Sequence, residues 1–359
     1  MNRLEVKDLT VTFPTADGLV QAVRGVSFEL EAGKTLGIVG ESGSGKSVTM
    51  QTIIGLTRGA RVSGQALFEG QDLLAMKSDD LRHVRGAEIS MIFQDPLSSL
   101  HPYYRVGWQI VEMIRAHQEV SARAARLRAV ELLRLVGIPQ PERRVDDFPH
   151  QFSGGMRQRA MIAMALANNP KLLIADEPTT ALDVTVQAQI IDLMQSLQKE
   201  LGTTIIMVTH DLGVVADIAD KVIVMYAGRA VEEADRRTLF YRAHHPYTRG
   251  LMGSLPGKGG TRERLNPIAG QPPSLIRIPS GCPFHPRCPF VMDRCLREEP
   301  PLLDVGTEEG HQSACWLPPD LVGFDRQVDA RRWTAAEADR TGRARVLAKG
   351  RALTAEPAS

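Results

Sequence analysis

The first 281 residues contain no cysteine, and the chain's four all lie between Cys282 and Cys315. That excludes a distributed disulfide framework and leaves the thiols as one local device. Charge of one sign is equally scarce. Against 43 Lys+Arg stand 42 Asp+Glu, a formal net charge of +1, which argues against a protein that holds nucleic acid mainly by electrostatics. No stretch approaches the roughly 18 consecutive apolar residues of a membrane-spanning helix. Met1 to Leu9 lacks the charged-then-apolar pattern of a secretory leader, so a cytoplasmic location is expected. What is present is ordinary globular composition: 359 residues, 43% hydrophobic and 24% charged. At roughly 100–200 residues per domain, this length predicts two or three domains.

The chain opens on strand patterns. Leu9, Val11 and Phe13 alternate with threonines, and Val26, Phe28 and Leu30 alternate with Ser27, Glu29 and Glu31. Pro14, Asp17 and Gly18 mark the turn between them. A short apolar strand, 36–39, runs into a glycine-rich loop, followed by a helix over 48–56. Helical spacing dominates from about Pro96 to Pro149, where Arg123, Arg126, Arg128 and Arg134 read as a solvated face. From Lys171 the chain alternates again: strand 172–175, a helix carrying Val186, Ile190 and Leu197, then strands 203–208 and 222–225. Such alternation predicts a mostly parallel sheet covered by helices. Pro and Gly cluster between Pro256 and Pro319, and the last 40 residues have the composition of a disordered tail.

Gly40-Glu41-Ser42-Gly43-Ser44-Gly45-Lys46-Ser47 fits the phosphate-binding pattern G-x-x-x-x-G-K-[ST] in full, with Val48 opening the helix behind it. Glycines let successive backbone N–H groups turn towards phosphate oxygens, and the helix adds its positive end. Lys46 is the expected ligand of the β- and γ-phosphates, and the Ser47 hydroxyl a ligand of Mg²⁺. The strand 172–175 delivers Asp176 and Glu177 to its end. Asp176 is expected to support Mg²⁺ and Glu177 to polarise the attacking water as general base.

Phe152-Ser153-Gly154-Gly155-Met156 resembles the signature motif of the ATP-binding cassette (ABC) ATPases, with Phe and Met in place of the usual Leu and Gln. Gln94 resembles that family's Q-loop residue, Asp183 in Ala181-Leu182-Asp183 its D-loop aspartate, and His210 its switch histidine. Phe13 takes the place of the aromatic that stacks on adenine. The resemblance covers residues 1–235. It implies a RecA-like P-loop α/β core with an antiparallel β subdomain and an α-helical subdomain at about 96–150. It also implies two cassettes sandwiching two ATP molecules. Each ATP then lies between one subunit's phosphate loop and its partner's Ser153, Gly154 and Gly155. Gln94 joins Ser47 and Asp176 around Mg²⁺, and Glu177, His210, Gln94 and Lys46 carry the hydrolysis. A second, identical or homologous ATPase subunit is therefore required.

His245-Pro246-Tyr247 and the segment Gly281-Cys282-Pro283-Phe284-His285-Pro286-Arg287-Cys288 resemble hallmarks of the oligopeptide/dipeptide permease ATP-binding subunits, extending the likeness to about residue 318. This implies a peripheral protein on the cytoplasmic face of the cell membrane. Its partners would be two integral-membrane permease subunits and an extracytoplasmic substrate-binding protein, importing peptides. Nickel, glutathione or oligosaccharide are the alternative cargoes. A DNA-repair ABC ATPase is the competing class; it would show a second cassette, a long coiled coil or inserted zinc knuckles, and no nucleic-acid partner is expected. Cys282, Cys288, Cys295 and Cys315 read as a metal site, since none of their gaps is a two-to-four-residue zinc knuckle and four thiolates suit a [4Fe–4S] cluster. Zinc and free or partly oxidised thiols stay open. Residues 236–320 are expected to form a small irregular cysteine-bearing module, and 321–359 a tail.

Overall fold

The computed structural model describes residues 2–95, 99–180, 182–254, 268–306 and 308–318; the expected tail lies outside them. The chain divides into two compact units, Met1–Ala230 and Val231–Ser359. In chain order the strands of the first are β1 (Asn2–Thr15), β2 (Gly18–Glu31), β3 (Thr35–Val39), β4 (Arg61–Phe68), β5 (Gln71–Asp72), β6 (Ile89–Ile92), β7 (Leu172–Asp176), β8 (Thr204–Thr209) and β9 (Lys221–Tyr226). Among its described residues no helix is long and apolar enough to cross a membrane.

β3, β7 and β8 are buried along their whole length, so their apolar runs show no alternation, as expected of strands covered on both faces. They form a parallel sheet in the order β9–β3–β8–β7–β6. In register, Val39 lies beside Thr209 and Val224, Asp176 beside Val208, and Ile92 beside Ala175. The carboxyl ends of these strands therefore finish level, and the segments leaving them share one edge.

A second, antiparallel sheet has the order β2–β1–β4–β5. Along β2, Val26, Phe28 and Leu30 are buried while Ser27, Glu29 and Glu31 are exposed, the period of two that the sequence carries. The hairpin closes at Thr15↔Gly18, so β1 runs on past Pro14. β4 has no counterpart in the sequence reading. Its first five residues are exposed and lack alternation, and pairing with β1 from Leu4↔Phe68 to Thr12↔Arg61 makes it a strand.

Between the sheets' motifs lie the helices Val106–Arg115, Ala122–Leu135, Pro141–Arg144 and Gly154–Ala165. They bury Ile110, Ile114, Ala129, Leu132 and Phe152 in a core continuous with Leu173 and Ile205 of the sheet. On the outward face Arg126 makes a bidentate pair with Asp146 (2.8 and 2.7 Å), Arg128 meets Glu131, and Arg134 meets Glu142. Such exposed pairs contribute little, in keeping with a solvated face.

In the second unit β10 (Arg229–Asp235) pairs antiparallel with β12 (Gln312–Ser313), and β12 with β11 (Leu303–Asp304). The helices Arg236–Arg242, Pro246–Gly253 and Asp293–Arg297 complete it. A side chain on Gly37 of β3 would meet Val215 Cγ1 at 2.6 Å. Gly37→Val should therefore destabilise the chain by about 1–3 kcal/mol through overpacking, read as a lower urea midpoint with an unchanged m-value.

Candidate functional site

β3 ends at Val39, and the loop 40–45 leads into the helix Lys46–Ile53. The loop's curvature depends on glycine at two positions. Gly40 (φ +154) has the Met225 carbonyl 2.3 Å from where a Cβ would stand, and Gly45 (φ +101) has the Ala22 carbonyl at 2.4 Å. Ser42 and Gly43 are exposed, Glu41 is half-buried, and Ser44 is buried. The Ser44 hydroxyl has no hydrogen-bond partner among the described residues, a free donor inside a ring of backbone amides. Lys46, 4% exposed, donates from Nζ to the carbonyls of Gly40 (2.7 Å) and Glu41 (3.0 Å). Burial pulls its pKa below the usual lysine value, opposed by the nearby carboxylates of Glu177, Asp176 and Glu41. Val48 is half-buried in the helix's first turn.

β7 brings Asp176 to the same edge. Ser47 Oγ donates to Asp176 Oδ1 at 2.8 Å, joining two oxygens expected around Mg²⁺. Burial raises the Asp176 pKa; the Ser47 hydrogen bond opposes that, and the Glu177 charge adds to it. Two adjacent carboxylates in a desolvated edge repel each other, and a divalent cation is the group that relieves this. Ser47, Asp176 and the orphaned Ser44 hydroxyl thus fit a Mg²⁺–phosphate ligand.

Glu177 leaves the strand with a left-handed backbone, φ 48, its N–H bonded to the Val208 carbonyl at 2.8 Å. Left-handed geometry at a non-glycine residue costs about 1–3 kcal/mol. Here it turns the carboxylate to face three neighbours. Gln94 Nε2, from the end of β6, donates to Oε2 at 3.1 Å. Thr180 Oγ1 donates to the same oxygen at 2.9 Å, and His210 Nδ1, from the end of β8, stands 3.3 Å from Oε1. Thr180 was not anticipated, although it stands three residues after Glu177 and directly before the D-loop motif.

The remaining residues lie apart from this group in their bonding. Ser153 caps the helix Gly154–Ala165, accepting from Met156 N at 3.3 Å. Asp183 caps the helix Val184–Leu201, accepting from Val186 N at 2.9 Å. Ser153, Gly154 and Asp183 are exposed. Within the chain, Gln158 of the signature helix donates to the Pro178 carbonyl at 2.6 Å. Phe13 is half-buried on β1 opposite Val20. Ala181 and residues 96–98 lie outside the described residues.

In the second unit, all four cysteines are free thiols and line one small pocket, together with His245, Phe284, Phe290 and Trp316. Burial pushes the thiol pKa values up, to about 11 at Cys282 and about 12 at Cys315, and Cys288 rises as well. The arrangement does not support the metal expectation. The thiols share a chamber, yet among the described residues no three His, Cys, Asp or Glu side chains are grouped to hold a metal ion. An all-sulfur lining suits a zinc ion and an iron–sulfur cluster alike.

The phosphate loop, the Asp176–Glu177 strand end, and a Ser-Gly-Gly helix start on one parallel sheet define a P-loop ATPase of the ABC type. The ABC transporter family model matches residues 23–180, and the oligopeptide/dipeptide transporter C-terminal region matches residues 231–295. The chain is 55% identical to the oligopeptide transport ATP-binding protein OppD of Bacillus subtilis, over 89% of this chain and 92% of that protein. It is 52% identical to OppD of Escherichia coli, over 88% and 93%, and 51% identical to the dipeptide transport ATP-binding protein DppD of B. subtilis, over 88% and 94%. Among solved structures, a post-hydrolysis dimer of the ATP-binding cassette MJ0796 with ADP and Pi matches at TM-score 0.60 and 29% identity, over 65% of this chain and 99% of that one. The chain belongs to the ATP-binding proteins of the oligopeptide/dipeptide ABC transporter family.

Gly45→Ala should abolish nucleotide binding, because the Cβ strikes the Ala22 carbonyl and straightens the loop. A fluorescent ATP analogue titrated against the variant checks this; unchanged affinity would contradict the loop geometry.

Proposed function

We infer that the chain is the ATP-hydrolysing subunit of a peptide importer. The observation that carries this reading is the meeting of Gln94, Thr180 and His210 on the Glu177 carboxylate beside the Ser47–Asp176 pair. Residues 1–235 act as the nucleotide-binding domain, with its helical subdomain at about 96–150, and 236–320 as the accessory cysteine module. ATP enters the phosphate loop and takes Lys46 from the Gly40 and Glu41 carbonyls. The loop's backbone amides, the Ser44 hydroxyl and the freed lysine then share the phosphate charge. Ser47, Gln94 and Asp176 would hold Mg²⁺, which would supply positive charge against the phosphate oxygens. Phe13 stacks on the adenine.

Glu177 takes a proton from the attacking water, and Gln94, Thr180 and His210 fix the orientation of its carboxylate. The left-handed turn at Glu177 carries the base off the end of β7. Ser153, Gly154, Gly155 and Asp183 serve across a dimer, against ATP held by a second ABC subunit. ATP binding closes the pair and hydrolysis reopens it. That cycle drives two integral-membrane permease subunits fed by an extracytoplasmic peptide-binding protein, with this chain peripheral at the cytoplasmic face. High identity to OppD and DppD over nearly their full lengths supports peptides as cargo. Cys282, Cys288, Cys295 and Cys315 hold a [4Fe–4S] cluster, which would supply a structural or redox-sensing centre outside the ATPase chemistry.

Glu177→Gln should bind ATP with near-parental affinity, accumulate closed dimers, and lose roughly 10²–10⁴-fold in turnover; parental phosphate release would remove Glu177 as the base. In a strain that depends on an imported oligopeptide for an essential amino acid, Lys46→Ala should stop growth on the peptide and spare growth on the free amino acid. Growth on both would exclude peptide as the cargo.

A further inference from the structure

Three of the four thiols are held by their own neighbourhood. Cys282 N donates to the Cys295 carbonyl at 2.9 Å, His285 N donates to the Cys282 carbonyl at 3.0 Å, and Cys288 N to the His285 carbonyl at 3.3 Å. Gly281 (φ +67) permits this closure, since a Cβ there would stand 2.3 Å from the Cys295 carbonyl. Cys315 arrives separately, on the segment that follows β12, where its neighbour Trp316 donates from Nε1 to the Glu298 carbonyl at 3.1 Å.

A buried polar circuit that starts at Glu232 on β10 holds the same segment from its other side. Glu232, His244, His245 and His311 are 0%, 3%, 1% and 0% exposed. Glu232 Oε1 accepts from His244 N at 2.6 Å and from His311 Nε2 at 2.8 Å, and Oε2 accepts from His245 N at 3.0 Å. The two aligned histidines then grip the chain on either side of Cys315. The His245 ring is close to the Ala314 carbonyl, while His244 Nε2 bonds the Leu317 carbonyl at 3.0 Å. Ala314 N is also fixed, donating to the Val231 carbonyl at 2.8 Å.

His245 lines the pocket, and its Nδ1 accepts from Tyr247 N at 3.1 Å, capping the helix Pro246–Gly253. A buried carboxylate meeting three donors is fully satisfied and costly to disturb, because each donor left behind stays buried and unpaired.

We propose that Glu232, His244 and His245 are positioning residues that set the fourth thiol, Cys315, in the chamber, with the His-Pro-Tyr motif acting as the clamp. The inference rests on reading the chamber as a cluster site, and its test separates the two. The full chain is stripped of iron anaerobically and treated with N-ethylmaleimide, and the alkylation rate of each cysteine is followed by peptide mass spectrometry. Two variants are compared with the parent. Glu232→Gln keeps the shape but offers one acceptor oxygen for three donors. His245→Asn keeps a side-chain cap for Tyr247 N but cannot span to Ala314.

Both variants should raise the Cys315 rate roughly tenfold or more, the factor expected for one lost buried hydrogen bond, with Cys288 and Cys295 unchanged and ATP binding unchanged. A rise at all four thiols together, or none at Cys315, overturns the proposal. Each protein is then reconstituted with iron and sulfide. Failure of the parent to reach [4Fe–4S] stoichiometry sinks the cluster reading and leaves the alkylation result to stand by itself. A loaded parent with variants of identical iron content and identical electron paramagnetic resonance spectrum sinks the positioning role while the cluster reading survives. Loss of signal in both variants, matched by Cys315→Ser, supports it.

Discussion

The Glu177 carboxylate gathers the ends of three parallel strands. Gln94 comes from β6, Thr180 and Glu177 itself follow β7, and His210 leaves β8. None of these contacts is possible unless the three strands finish level, and the register that makes them level runs through whole buried strands rather than through the site. A one-residue slip of β7 against β8 would send Asp176 and Glu177 to opposite faces. The apolar packing of Leu173, Ile174, Ile205 and Ile206 is therefore as much a part of the chemistry as the carboxylates.

Much of this was legible in the chain because it is local. The phosphate loop is eight consecutive residues whose glycines answer to nearby backbone carbonyls, and Asp176-Glu177 follow directly from an apolar run. The buried strands β3, β7, β8 and β9 carry unbroken apolar residues because both faces are covered. β4 escaped notice because its exposed first half lacks alternation and it owes its conformation to β1. The left-handed turn at Glu177 escaped for a different reason. Glutamate has no preference for that region, and the conformation is imposed by the Val208 carbonyl from a neighbouring strand.

In the second unit the division between local and distant is sharper. Cys282, Cys288 and Cys295 announce themselves by proximity in sequence, and their backbone bonds are short-range. The Glu232–His311 bond joins residues 79 apart, and no spacing or periodicity reports it. Both residues are wholly buried, so neither exposure nor charge balance draws attention to them. The His-Pro-Tyr motif could be recognised as a string, but its histidine does two unrelated jobs, capping a helix through Nδ1 and donating its backbone N–H to Glu232.

Ser153 shows how a small side chain can serve two masters. Its oxygen accepts from Met156 N, which consumes a lone pair and leaves the hydroxyl hydrogen free to point outward. Aspartate caps helices equally well, as Asp183 does in this chain, but it would turn a fixed negative charge on any phosphate approaching the helix start. A hydroxyl starts the helix and still offers the incoming anion a donor. At Asp183, where the helix opens without a paired glycine, the same cap carries its charge, so the two helix starts present opposite polarities to an arriving subunit.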